Sequence, residues 1–141
     1  MSLSPKTRFL LSGLKGTYMV ITNEDKEYWV ASKVEPKAMD AIVDPALTAT
    51  DTIILGEVLQ RVEDPLKYLQ LVKQKTKRIV LTVPNEWSWA PQNAPFKNLA
   101  HKHTFDAQSL GELLESAGLS YVMKSIDYSG WAFLGAEATF A

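Results

Sequence analysis

Residues 51–65 constrain the fold more than any other stretch of this chain. Thr52, Ile53, Ile54 and Leu55 form a short, unbroken apolar run, closed by Gly56 and Glu57. Unbroken rather than alternating apolarity is expected of a strand buried on both faces. A short irregular segment follows. Asp64 and Pro65 then stand where a helix N-cap and first helical residue belong. Strand, loop and helix make a βα unit, and ligands of open α/β sheets bind outside the carboxyl ends of the strands. In this chain that end carries Gly56 and Glu57.

The rest of the chain supplies further elements. Residues 65–75 place Leu66, Leu69 and Val72, with neighbouring Tyr68, at helical spacing, and Lys73, Lys75 and Lys77 crowd the far end, where cations favour the helix dipole. That charge run reads as a solvated helix end. Residues 79–83, Ile-Val-Leu-Thr-Val, form a second, mostly apolar run without strict alternation before Pro84 and Asn85. Together with residues 53–55 it predicts two adjacent, parallel central strands. Residues 87–96 are a loop, since Pro91 and Pro95 oppose regular structure. Asp106 caps the next helix, Phe105 and Leu110 form a hydrophobic staple, and Gly118 stops it. Ser129 and Gly130 then join two strand-like runs, residues 121–128 and 131–140, as a hairpin.

The amino-terminal third is less regular. Residues 5–14 read as one helix ending near Gly13 or Gly16. Residues 17–22 and 27–31 are rich in β-branched and aromatic residues and flank a polar turn, which reads as a β-hairpin. A second reading makes residues 17–22 the second strand of the main sheet, followed by a helix over residues 26–33. In that case Glu24 or Asp25 is the strand-end acid. Tyr28, Trp29 and Val30 are poor helix formers, which favours the hairpin. Residues 39–43 read as a short strand closed by Asp44 and Pro45.

These motifs also resemble a family. Glu57, Val58, Leu59, Val62, Asp64 and Pro65 are similar to the fourth strand and following helix of class I S-adenosylmethionine-dependent methyltransferases. Gln60 and Arg61 depart from that pattern, which usually has an acidic or similar residue and then histidine there. Residues 78–85 resemble the fifth strand and its Val-Pro-Asn turn. His101, Phe105, Asp106, Leu110, Leu114, Ala117 and Gly118 resemble the run before the last strands. The likeness covers roughly residues 40–137. It implies an α/β fold, a Rossmann-like, mostly parallel sheet with a C-terminal antiparallel hairpin. Residues 1–141 are then one domain, with residues 1–36 an atypical helix plus hairpin.

The resemblance implies S-adenosylmethionine as cofactor and a small-molecule methyl acceptor. Gly56 and Glu57 are the cofactor-binding candidates, with Asp25 joining them to hold the ribose in the second amino-terminal reading. Glu57 has a plainer alternative, hydrogen bonding to neighbouring loop amides. His101 and His103 are candidate catalytic bases, because histidine titrates near neutrality and their loop covers the active site in the resembled family. They read equally as structural loop residues, and their spacing lacks the third and fourth ligands of a zinc site, so no metal is expected. Trp87 and Trp89 are candidates for stacking on a planar or sugar-like substrate, or alternatively for plugging the sheet edge or forming a subunit contact.

One expected feature is missing. The family binds its cofactor through a glycine-rich turn after the first strand, where the backbone must approach the ligand closely. Gly13 and Gly16 follow no apolar strand, so the first strand and its turn either lie upstream of Met1 or have been lost. Weak or absent cofactor binding follows, and a degenerate, non-catalytic binding or assembly module is the alternative function. A sheet lacking a strand would expose a raw edge, and with the tryptophan load this suggests a homodimer. A net charge of −1, with 46% apolar and 22% charged residues, describes an ordinary globular domain with no electrostatic case for nucleic acid or anionic membrane. No apolar run reaches membrane-spanning length and residues 1–6 lack a signal-type apolar region. The absence of cysteine excludes disulfides and thiol chemistry and fits a cytoplasmic setting.

Overall fold

The computed structural model describes residues 4–22, 35–93 and 101–141. Ser4 caps the first helix, α1 (Pro5–Ser12), accepting from the Thr7 amide at 3.3 Å, and Gly13 ends it. Strand β1 (Tyr18–Thr22) follows, then the two-residue β2 (Pro36–Lys37), a 3-10 turn (Met39–Val43) and β3 (Thr52–Gly56). Helix α2 (Pro65–Lys73) starts at Asp64, whose carboxylate accepts from the Lys67 amide at 3.1 Å. Next come β4 (Arg78–Pro84), a one-turn 3-10 segment (Glu86–Ser88) and α3 (Ala107–Ser116). The hairpin β5 (Leu119–Tyr128) and β6 (Trp131–Phe140) closes the chain.

The strands form one sheet in the order β2-β1-β3-β4-β6-β5. β1, β2, β3 and β4 are parallel, and β6 runs antiparallel between β4 and β5. Ile53, Ile54, Leu55, Val80, Leu81 and Val83 are all fully buried, in adjacent parallel strands. The lack of alternation has a direct cause. Ile53 and Leu55 face the main core, with Leu69 and Val72 of α2 and Leu110 and Leu114 of α3. Ile54 faces the other way, into a smaller cluster with Leu10 of α1, Val20 and Val80. Covering each of these side chains stabilises the fold by about 1.5–3 kcal/mol.

Two local expectations are corrected. Residues 17–22 do not form one arm of a hairpin: β1 is an internal strand, parallel to β2 on one edge and to β3 on the other. Met19, Val20 and Ile21 are buried, and a run without a polar face fits the middle of a sheet covered on both sides. Residues 27–31, the other proposed arm, lie outside the described residues. Residues 39–43 form a 3-10 turn rather than a strand. The ladder position beside β1 is taken by β2, and the Met39 carbonyl accepts instead from the Tyr68 hydroxyl at 2.8 Å.

The carboxyl-terminal expectations match the structure. Asp106 and Ser109 form a reciprocal capping box at the start of α3, and Gly118, with φ 80°, follows its end. Ser129 and Gly130 take φ 51° and 78°, the pair of positive values that a two-residue hairpin matching strand twist requires.

Candidate functional site at the carboxyl ends of the strands

The topology locates the site. From β1 the chain moves outward to β2, then returns to β1's other side as β3, so the winding direction reverses between β1 and β3. In open α/β sheets the ligand crevice lies at such a reversal, outside the carboxyl ends. β1 therefore takes the place beside β3 that the first strand takes in a doubly wound sheet, which replaces the expectation of a missing first strand. The segment following Thr22 begins Asn23, Glu24, Asp25, Lys26, contains no glycine, and lies outside the described residues, as does the proposed ligand Asp25.

Thr22, Gly56 and Thr82 stand in register across the three carboxyl ends. The Thr22 hydroxyl donates to the Gly56 carbonyl at 2.9 Å, and the Glu57 amide donates to the Thr82 carbonyl at 3.2 Å. Glu57 itself sits at φ 59°. A left-handed conformation in a non-glycine residue costs on the order of 1–2 kcal/mol, and it turns the chain abruptly off the strand. The Glu57 carboxylate meets the Lys6 ammonium of α1 at 3.4 Å, with side chains only 6% and 9% exposed. Lys6 also lies 4.2 Å from the centre of the Phe133 ring. Glu57 is thus part of a buried ion pair at the crevice.

Beside this pair opens a cavity of about 310 Å3, lined by Lys6, Glu57, Arg61, Trp89, His101, Tyr128, Trp131 and Phe133. The hairpin supplies three aromatic walls. Trp89 meets Trp131 edge to face at 4.8 Å and is pinned by donating its indole N–H to the Ala132 carbonyl at 2.9 Å. Tyr128 stacks on Phe133 at 5.7 Å. Tethering Trp89 at both its edge and its nitrogen holds one aromatic wall in a single orientation.

His101 enters from the loop before α3. Two backbone bonds hold that loop down, since the Gln60 carbonyl accepts from the amides of Lys102 at 2.7 Å and His103 at 3.1 Å. Gln60 is wholly buried, and its side-chain amide donates to the Glu57 carbonyl at 3.0 Å, so one residue ties the β3 turn to the histidine loop. The His101 Nδ1 forms a close hydrogen bond with the Glu86 carboxylate, itself buried just beyond β4. A carboxylate on Nδ1 orients the ring and stabilises the imidazolium, the arrangement a general base uses.

The other candidates are placed elsewhere. His103 does not line the cavity: its Nε2 lies 3.0 Å from the Glu63 carbonyl on the exposed side. Trp87 is 71% exposed and outside the cavity, so of the two tryptophans only Trp89 lines it. Lys6, Glu86, Tyr128, Trp131 and Phe133 were not among the residues the sequence singles out for a site. Lys6 lies 51 positions from its partner and leaves no signal. Glu86 had one, as an acid immediately after a strand-ending Pro-Asn turn.

The fold defines the class: an α/β domain with the Rossmann-like fold of class I S-adenosylmethionine-dependent methyltransferases. A methyltransferase-domain family model matches residues 11–124, and the chain belongs to that family. No curated protein matches it. Among solved structures, an S-adenosylmethionine-dependent methyltransferase and possible histamine N-methyltransferase from Thermotoga maritima is similar over 97% of this chain and 88% of its own, at 14% identity and a TM-score of 0.73. An S-adenosylmethionine-dependent methyltransferase from Archaeoglobus fulgidus covers 95% and 92%, at 13% identity and 0.67. The plantazolicin methyltransferase BamL, in complex with a triazolic desmethylPZN analogue and S-adenosylhomocysteine, covers 97% and 83%, at 7% identity and 0.67.

Proposed function

We infer that this domain binds an S-adenosylmethionine-type cofactor weakly at the carboxyl ends of β1 and β3 and receives a small methyl acceptor in the adjoining aromatic cavity. The observation that carries this reading is the buried His101–Glu86 pair opening into that cavity, beside the point where the sheet reverses direction. The residues present fit a sulfonium cofactor in one respect: aromatic faces, which attract a cation, line the adjoining space. S-adenosylmethionine, when bound, supplies an electrophilic methyl group. Gly56, Glu57 and Asp25 are the residues that would hold it.

The chain's own residues do the rest. Trp89, Trp131 and Phe133 orient a flat acceptor and exclude water, which confers the positioning advantage on which a two-reactant step depends. His101, oriented by Glu86, accepts a proton at Nε2 from an acceptor hydroxyl or amine. With no glycine in the segment after Thr22, the close backbone contacts of a full cofactor turn are weakened. Calorimetric titration with S-adenosylhomocysteine tests this. A dissociation constant of about 100 µM or weaker, near −5.5 kcal/mol, is expected. Micromolar or tighter binding would overturn the weak-binding part of the reading.

No detectable binding at millimolar ligand would favour the second reading, a non-catalytic methyltransferase-fold binding module. Its own support is that Glu57, a cofactor-binding candidate, is already engaged by Lys6 at the crevice.

A further inference from the structure

Among the described residues three basic side chains line the cavity, and two of them already face a carboxylate. Lys6 faces Glu57, and His101 faces Glu86. Arg61 is the third. It lines the same cavity, and its Nε is buried with no hydrogen-bond partner among the described residues. Among the described residues no carboxylate lies within ion-pair distance of Arg61, so its charge is unbalanced there. Arg61 also stands where the resembled family usually has histidine, so the charge belongs to this chain rather than to the shared pattern.

We propose that Arg61 is a specificity-determining residue that binds the anionic group of the acceptor, a small aromatic compound carrying a carboxylate. The guanidinium presents a planar fork of donors that matches a carboxylate in two parallel bonds. Trp89 and Trp131, at right angles to one another, provide a face and an edge for the ring. A volume of about 310 Å3 suits a single-ring ligand, at the lower end of small-molecule sites. Within the described lining Lys6 and Glu57 offset one another, so Arg61 leaves it with a net positive charge, which selects for an anion over a neutral isostere. The inference rests on the cavity being the acceptor site, but not on the cofactor being bound.

The probes are 4-hydroxybenzoate and its neutral isostere 4-hydroxybenzamide, titrated by calorimetry into the whole chain without cofactor. The acid should bind at least about tenfold more tightly than the amide, and Arg61→Gln should remove that difference. Arg61→Lys should retain part of it, since charge survives and the fork does not. Circular dichroism of each variant checks that the fold is unchanged. Equal affinity for acid and amide, absence of binding by either, or an unaltered preference in Arg61→Gln would overturn the proposal. So would an Arg61→Gln variant that loses S-adenosylhomocysteine while still preferring the acid, because the guanidinium would then serve the cofactor. Failure of S-adenosylhomocysteine to bind the unmodified chain leaves this inference standing and removes only the cofactor reading.

Discussion

Breaking the Lys6–Glu57 pair on one side only should be among the most damaging single changes in this domain. At 3.4 Å, two unit charges in surroundings of effective dielectric near 20 attract by about 5 kcal/mol. Both side chains are over nine-tenths buried, so solvent screens this attraction far less than at a surface. Much of the attraction offsets the desolvation of the two ions, and the pair as a whole adds little net stability. Removing one partner leaves the other ion desolvated, at a cost of about 3–5 kcal/mol. Glu57→Gln and Lys6→Met should therefore each lose that much. The double variant Lys6→Met/Glu57→Gln should lose only about 1–2 kcal/mol, because no ion then remains buried without this counter-charge. The assay is urea denaturation of the four proteins. With a slope of about 2 kcal/mol per molar, each single variant should shift its midpoint down by roughly 1.5–2.5 M and the double by less than about 1 M. Single losses under about 1 kcal/mol that simply add in the double variant would mean that the pair behaves as an exposed one, and the burial reasoning would be wrong.

Four further outcomes are expected. Leu69→Ala, at a fully buried position between α2 and the sheet, should cost about 2–5 kcal/mol by chemical denaturation, and a loss under 1 kcal/mol would mean the core relaxes around it. The Tyr68 phenol is held well above the usual tyrosine range, first by burial and then by the nearby Asp40 charge. Its raised value adds stability that is complete below about pH 10, the unfolded tyrosine value, and is lost as pH rises beyond it. Absorbance titration near 295 nm should show one tyrosine fewer ionising than after unfolding, and full ionisation in the folded state contradicts this. The Asp106 carboxyl is held below the usual range by the Ser109 amide and hydroxyl, so its capping contribution is complete above the unfolded aspartate value and is lost as pH falls through the lower folded one; Asp106→Asn should flatten that part of the acid unfolding curve. A homodimer joined through exposed Trp87 should give a two-chain mass by light scattering at micromolar concentration, falling to one chain in Trp87→Ser, whereas a one-chain mass unchanged over a tenfold concentration range rules it out.

The amino-acid sequence by itself determined the elements whose causes are local. The runs at residues 53–55 and 79–83, apolar on both strand faces, specify doubly covered strands because no single-face burial could satisfy them. Asp64 with Pro65, and Asp106 with Ser109, mark helix starts because a side-chain oxygen must meet the first free amides. Ser129 and Gly130 set a tight turn because only such residues tolerate two positive φ values in succession. Gly56, Glu57, His101 and Trp89 were visible for the same reason, standing at strand ends and in loops where ligands of such sheets bind.

Tertiary structure decided what depends on neighbours distant in sequence. Whether β1 is a hairpin arm or an internal strand turns on which edges are free, and β3, starting 30 positions later, takes one of them. The partner of Glu57 comes from α1, and the aromatic walls come from the last hairpin. The separation of His101 from His103 is likewise tertiary, since Gln60 pins their shared loop so that one ring meets Glu86 and the other faces outward. Strand patterns and caps are read from spacing along the chain, but charge pairing and cavity walls follow from close approach through space, for which local sequence has no counterpart.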